Sequence, residues 1–103
     1  MEKSLRQVAQ FLVRNARKRA KKLQVPFDIE WRDIEVPEVC PILQIPMQRN
    51  LGKQMPNSFT LDRRVPELGY VKGNVFVMSL EANRAKGALT VEQLKRLIEY
   101  IEE

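Results

Sequence analysis

Hydrophobic positions recur every three or four residues over the first quarter of the chain, at Leu5, Val8, Leu12, Ala16, Ala20 and Leu23. That spacing lines one side of an α-helix and predicts a single long helix over 2–24. Pro26 ends it, since proline lacks an N–H and disfavours helical geometry in the residue before it. Phe27 and Ile29 then alternate as in a short strand, and 31–34 reads as one helical turn. Phe27, Ile29, Trp31 and Ile34 are expected to pack under the first helix, the aromatics as core rather than as exposed stacking rings. Residues 47–57 are polar, with Gly, Pro and Asn, and read as a loop. From Ser58 the period changes to two, with Phe59, Leu61 and Arg63 alternating with Thr60 and Asp62 as in a strand. Pro66, Gly69 and Gly73 interrupt it, and Val75 to Met78 forms a second strand. The Ser79 hydroxyl can cap a helix over 80–86. Thr90 and Gln93 make a capping box for a last helix. Its stripe, Val91, Leu94, Leu97, Ile98 and Ile101, is expected to close the core against the first helix or the strand–strand–helix unit.

The fold class is therefore α+β, as one domain over 1–103: a basic helix (1–24), a connector (25–57), a ββα unit (58–87) and a closing helix (90–103). At 103 residues one modest core is expected. No apolar run approaches the roughly 20 residues of a membrane span, and Met1-Glu2-Lys3 leads into a charged helix rather than an apolar leader. Neither a membrane partner nor a secreted location is expected, so the protein is placed in the cytoplasm.

Charge changes this picture more than composition does. The net charge is +5, but residues 1–24 carry eight basic side chains and one acidic. Arg14, Arg17, Lys18, Arg19, Lys21 and Lys22 occupy the faces opposite the apolar stripe, with no acid among them. Such a segment is an electrostatic footprint for a polyanion, and DNA is the expected partner. Arg49 and Lys53 in the polar loop, and Arg64, Lys72, Arg84 and Lys86 further on, are further candidates for phosphate contact. Residues 25–39 are the opposite, with Asp28, Glu30, Asp33, Glu35 and Glu38 against Arg32 alone; these acids face solvent or offset the basic helix.

Two polar residues stand out in the ββα unit. Asp62 ends the first strand, and Asn83 sits mid-helix, where Asn is poor on propensity. A carboxylate and an amide oxygen suit Mg2+, or Mn2+, with water and substrate phosphate completing the shell. The alternatives are a turn cap or an ion pair with Arg63 or Arg64 for Asp62. Asn74 reads as a structural loop residue and Tyr70 as core. Cys40 has no second Cys and no His to join it, so neither a disulfide nor a zinc site is expected; it reads as a small buried hydrophobe.

Leu61-Asp62-Arg63, Gly69-Tyr70, Gly73-Asn74-Val75 and Ala82-Asn83-Arg84-x-Lys86 together resemble the ββα-metal core of HNH endonucleases. The likeness is to the small phage forms and the recombination endonuclease VII group. It implies a metal held by Asp62 and Asn83. Arg63 stands where the family has its general-base histidine, and the chain contains no histidine. Arginine keeps its proton and cannot be that base, but it can stabilise developing negative charge. Asp62, Arg63 and Asn83 are thus the catalytic candidates. The second acid common in relatives is replaced by Arg64-Val65-Pro66. The zinc-knuckle positions of the family would fall at Cys40, Leu43, Ser79 and Ala82. With one thiol left, apolar packing by Cys40, Ile42, Leu43 and Ile45 is expected to replace the zinc.

The resemblance leaves two functions open. One is a divalent-metal-dependent DNA endonuclease or nickase. The other is an HNH-like fold that only binds, to DNA or to a host protein. The endonuclease VII group is dimeric, but no heptad here requires a homodimer.

Overall fold

Ser4 opens the structure, a computed structural model that describes residues 2–103. Its hydroxyl accepts from the Gln7 amide while the Gln7 side chain accepts from the Ser4 amide, a reciprocal cap that satisfies two free donors. Helix α1 runs from Leu5 to Leu23 and ends at Gln24, which adopts φ 58°. Met1, the first residue of the basic segment, lies outside the described residues. Val8, Leu12, Ala16 and Ala20 are buried, as the spacing predicts, and Ala9 is buried beside them, but Leu5 is half-buried and Leu23 half exposed. The small alanines let the following strands approach the helix closely.

Strand β1 (Phe27–Asp28) pairs in parallel with β3 (Tyr70–Val71), Phe27 opposite Tyr70. The joint is tight at Gly69: a Cβ there would stand 2.3 Å from the Pro26 carbonyl oxygen, and its φ is +77°. Only glycine meets both demands. A 3-10 turn at Trp31–Asp33 packs against α1, in line with the sequence. Ile29 is buried and Phe27 and Ile34 are half-buried at the edge of the core, whereas Trp31, expected in the core, is half-buried outside it with Arg6 of α1 over its ring at 4.6 Å.

Strands β2 (Phe59–Arg63) and β4 (Val75–Ser79) form an antiparallel pair with Leu61 opposite Val77 and Asp62 opposite Phe76. Successive side chains point to opposite faces. Phe59, Leu61, Val77 and Arg63 therefore share the face toward α1, and Thr60, Asp62, Phe76 and Met78 share the other. Ser79 accepts from the Ala82 amide and caps α2 (Leu80–Lys86). Asn74 ties the connecting loop, accepting from Val65 N–H and donating to the carbonyls of Val65 and Gly69, so its role is structural.

Two expectations are corrected. Cys40 is fully buried, but Ile42 and Leu43 are 61% and 40% exposed, so they do not clamp the turn. Backbone bonds do: Cys40 N–H to the Ile45 carbonyl, Gln44 N–H to Cys40, and Met47 N–H to Glu38. The Ser79 amide also donates to the Cys40 sulfur at 3.4 Å, which joins two of the four knuckle positions. The second correction is α3 (Val91–Glu102). It has its Thr90–Gln93 capping box but buries no residue and packs substantially on no other element among the described residues. It does not close the core. The polar 47–57 loop, by contrast, is well tied: Met47 is buried, and Gln48 donates to the Lys53 carbonyl and the Ser58 hydroxyl.

The architecture is α+β, with three α-helices and two small two-stranded sheets among the described residues. No helix among the described residues is long and apolar enough to cross a membrane.

Candidate functional site

Strand β2 distributes its polar residues between two sites. Asp62 and Thr60 point toward α2. The Asn83 amide donates to the Thr60 hydroxyl at 3.3 Å, and that hydroxyl donates to the Met78 carbonyl. Lys86, one turn beyond Asn83, places its ammonium 2.8 Å from Asp62 Oδ2. The approach is off the hydrogen-bonding direction, so this buried oxygen has a charge beside it and no aligned donor. The other oxygen, Oδ1, accepts from the Arg63 backbone N–H at 2.8 Å. The side chains of Asp62 and Lys86 are 17% and 28% exposed, so the pair is partly desolvated and its charges are only partly screened.

Asp62 thus pairs with Lys86 rather than with Arg63 or Arg64. The structure brings Asp62 and Asn83 to one face, as the sequence implied, and sends Arg63 to the other. There Arg63 donates to the Pro66 carbonyl at 3.1 Å and lies 5.1 Å from the Tyr70 ring centre. Its Nε is buried without a partner. Arg19, from α1, reaches the same ring at 5.7 Å and donates weakly to the Leu61 carbonyl at 3.5 Å. Two guanidinium groups therefore lie against one aromatic ring, and neither forms an ion pair with a carboxylate among the described residues. Nothing in the sequence signalled this convergence; Tyr70 read simply as core, and it is 2% exposed.

The fit of a divalent cation can be judged from the donors present. Asp62 supplies one carboxylate and Asn83 one amide, and an ammonium already sits on the carboxylate. No group of three or more His, Cys, Asp or Glu side chains is placed to hold a metal ion among the described residues. As it stands, the Asp62 site does not fit such an ion.

The basic residues of α1 are positioned differently. Arg14, Arg17, Lys18, Arg19, Lys21 and Lys22 are all exposed. Among the described residues none forms an ion pair, the recorded pairs being Arg49–Glu38, Lys72–Asp33 and Lys86–Asp62. Of the connector acids, Asp33 and Glu38 pair away from α1, and none pairs with it among the described residues. Arg17 rests on the Phe27 ring at 5.2 Å, which steadies the guanidinium without neutralising it. Arg64 does the same on Phe76 at 5.1 Å. Lys53 and Arg84 are exposed, whereas Arg49 is half-buried against Glu38.

Cys40 is a buried thiol held among backbone amides. Burial alone would push its thiol up, but the amides of Leu43, Ser79 and Ile42 and the Ser79 hydroxyl outweigh burial and hold it below its ordinary value.

Compared with known proteins, the chain matches no family model, no curated protein and no solved structure.

Proposed function

We propose that this protein is a DNA-backbone-binding protein on an HNH-like ββα unit, holding its target chiefly through the basic face of α1. The observation that carries this reading is the set of six cations over 14–22, all exposed and none ion-paired among the described residues. A surface of one sign, held opposite a buried stripe, suits a polyanion better than a mixed solvated face does. Lysine and arginine of this kind recognise phosphates and carry no base information, so the binding is sequence-tolerant. Lys86 gives Asp62 the positive charge that a metal supplies in the family the sequence resembles, and binding therefore does not depend on a divalent ion.

Salt dependence tests it. If about five phosphates are contacted, affinity for a labelled duplex falls about 500-fold between 50 and 200 mM salt. EDTA leaves it unchanged. Binding that is absent at low salt removes the reading and turns the search to a host-protein target.

A second reading, the divalent-metal-dependent endonuclease, draws support from Asp62 Oδ2, which has no aligned donor, and from Asn83 on the same face. It requires Mg2+ or Mn2+ to displace Lys86. Nicking of supercoiled plasmid that needs the metal and is lost in Asp62→Ala and Asn83→Ala establishes it. Retardation without nicking, unchanged in both variants, leaves the binding reading in place.

A further inference from the structure

A groove lies between α1 and the segment leading into β2, with a cavity volume of about 390 Å³. It is on the α1 side of the sheet, apart from Asp62 and Lys86. Its floor is apolar, from Phe11, Leu51 and Phe59. Its rim carries the cations Lys18, Arg19 and Lys53, Asn15 is a neutral wall residue, and no carboxylate lines it among the described residues. Arg19, on this rim, also lies against the Tyr70 ring, as Arg63 does.

Resting on the reading above, we infer that this groove takes one unstacked nucleotide of a single DNA strand, with its base on the floor and its phosphates along the cationic rim. The chemistry of the walls selects that occupant. An apolar floor asks for a flat, weakly hydrated group, and three cations without an acid ask for an anion attached to it. The volume lies at the small end of ligand pockets, enough for one small group. Duplex DNA offers phosphates but keeps its bases stacked and paired, so it can use the rim and not the floor. A single strand can use both, as in single-strand binding by charged grooves with aromatic walls. The two guanidiniums over Tyr70 fit the same picture. Neither pairs with a carboxylate among the described residues, and Arg63 Nε has no partner, so they add positive charge for phosphates of the same strand.

The test compares three labelled probes by fluorescence anisotropy at one salt concentration: a single-stranded 15-mer, a 15-unit abasic strand with the same phosphates, and a 15-bp duplex. The single strand is expected to bind about tenfold tighter than the abasic strand. Asn15→Trp, which fills the groove from α1, is expected to reduce the single strand to the abasic level and leave the duplex unchanged. Leu51→Trp fills it from the loop and is expected to do the same, with thermal melting confirming that each variant folds. Equal affinity for single and abasic strands overturns the inference while DNA binding itself stands. So does a base preference that survives both groove-filling variants. Failure to bind any of the three probes removes the inference together with the reading it rests on.

Discussion

Helices α1 and α3 both start at a hydroxyl capping box and both carry an apolar stripe, yet α1 buries five side chains and α3 buries none. Residue size does not decide this. Ile98 and Ile101 are 55% and 71% exposed, while Val8 and Ala16 are completely covered. Local signals make a helix; a complementary surface seats it. For α1 that surface exists because β1, β2 and β3 present Phe27, Phe59, Leu61 and Tyr70 to a stripe narrowed by alanines. Helix α2 is intermediate, seated through Ala82 and anchored at its end by Lys86 on Asp62.

The strongest attack on this contrast is a matched pair of truncations. Leu12→Ala, or Leu61→Ala, is expected to cost about 2–5 kcal/mol by denaturant unfolding, whereas Ile98→Ala stays within about 0.5 kcal/mol. Comparable losses at Leu12 and Ile98 would mean that α3 is seated after all. Next is Gly69→Ala, which forces a side chain into the Pro26 backbone at a positive φ and is expected to cost about 3 kcal/mol. Thermal melting reads this, and a neutral result would show that the β1–β3 joint does not hold the α1 surface together. Lys86→Met strips Asp62 of its charge partner and is expected to cost about 1–2 kcal/mol, discounted for partial exposure. Asp62→Asn combined with Lys86→Met should recover part of that loss, and a double variant worse than either single one would contradict the pairing.

The smallest effect is at Cys40, a seated position beside α2. Its thiol loses a proton more readily folded than unfolded, so the native state binds fewer protons in that interval. Stability then rises as pH increases from the depressed folded value toward the ordinary unfolded one of about 8.5. Below the folded value that contribution is gone. Unfolding measured at several pH values should show this rise in the parent and not in Cys40→Ala.

Much of the local structure was legible in the residues. Ser79 and Thr90 mark real helix starts, and the period-two run from Phe59 marks a real strand. That same period also separates Asp62 from Arg63, since neighbours on a strand face opposite ways; reading them as one catalytic group followed the resemblance rather than the pleat. The Cys40 turn was half legible. Its buried thiol followed from residue type, but the apolar clamp expected from Ile42 and Leu43 is replaced by amide bonds that no side-chain pattern advertises.

The sequence by itself determined the three helices and the strands β2 and β4, where α2 and α3 begin, and that positive charge concentrates on the first helix; the start of α1 at Leu5 and the strand β3 were not read from it. Those properties depend on spacing, capping and composition within a few residues, and they survive in any surroundings. Only the tertiary structure decided that Lys86 pairs with Asp62, that Arg19 and Arg63 both lie against the Tyr70 ring, that a groove opens between α1 and β2, and that α3 stands free. Each of these depends on which surfaces come together over long stretches of chain, and contact there is set by shape and charge across elements rather than by neighbours in sequence.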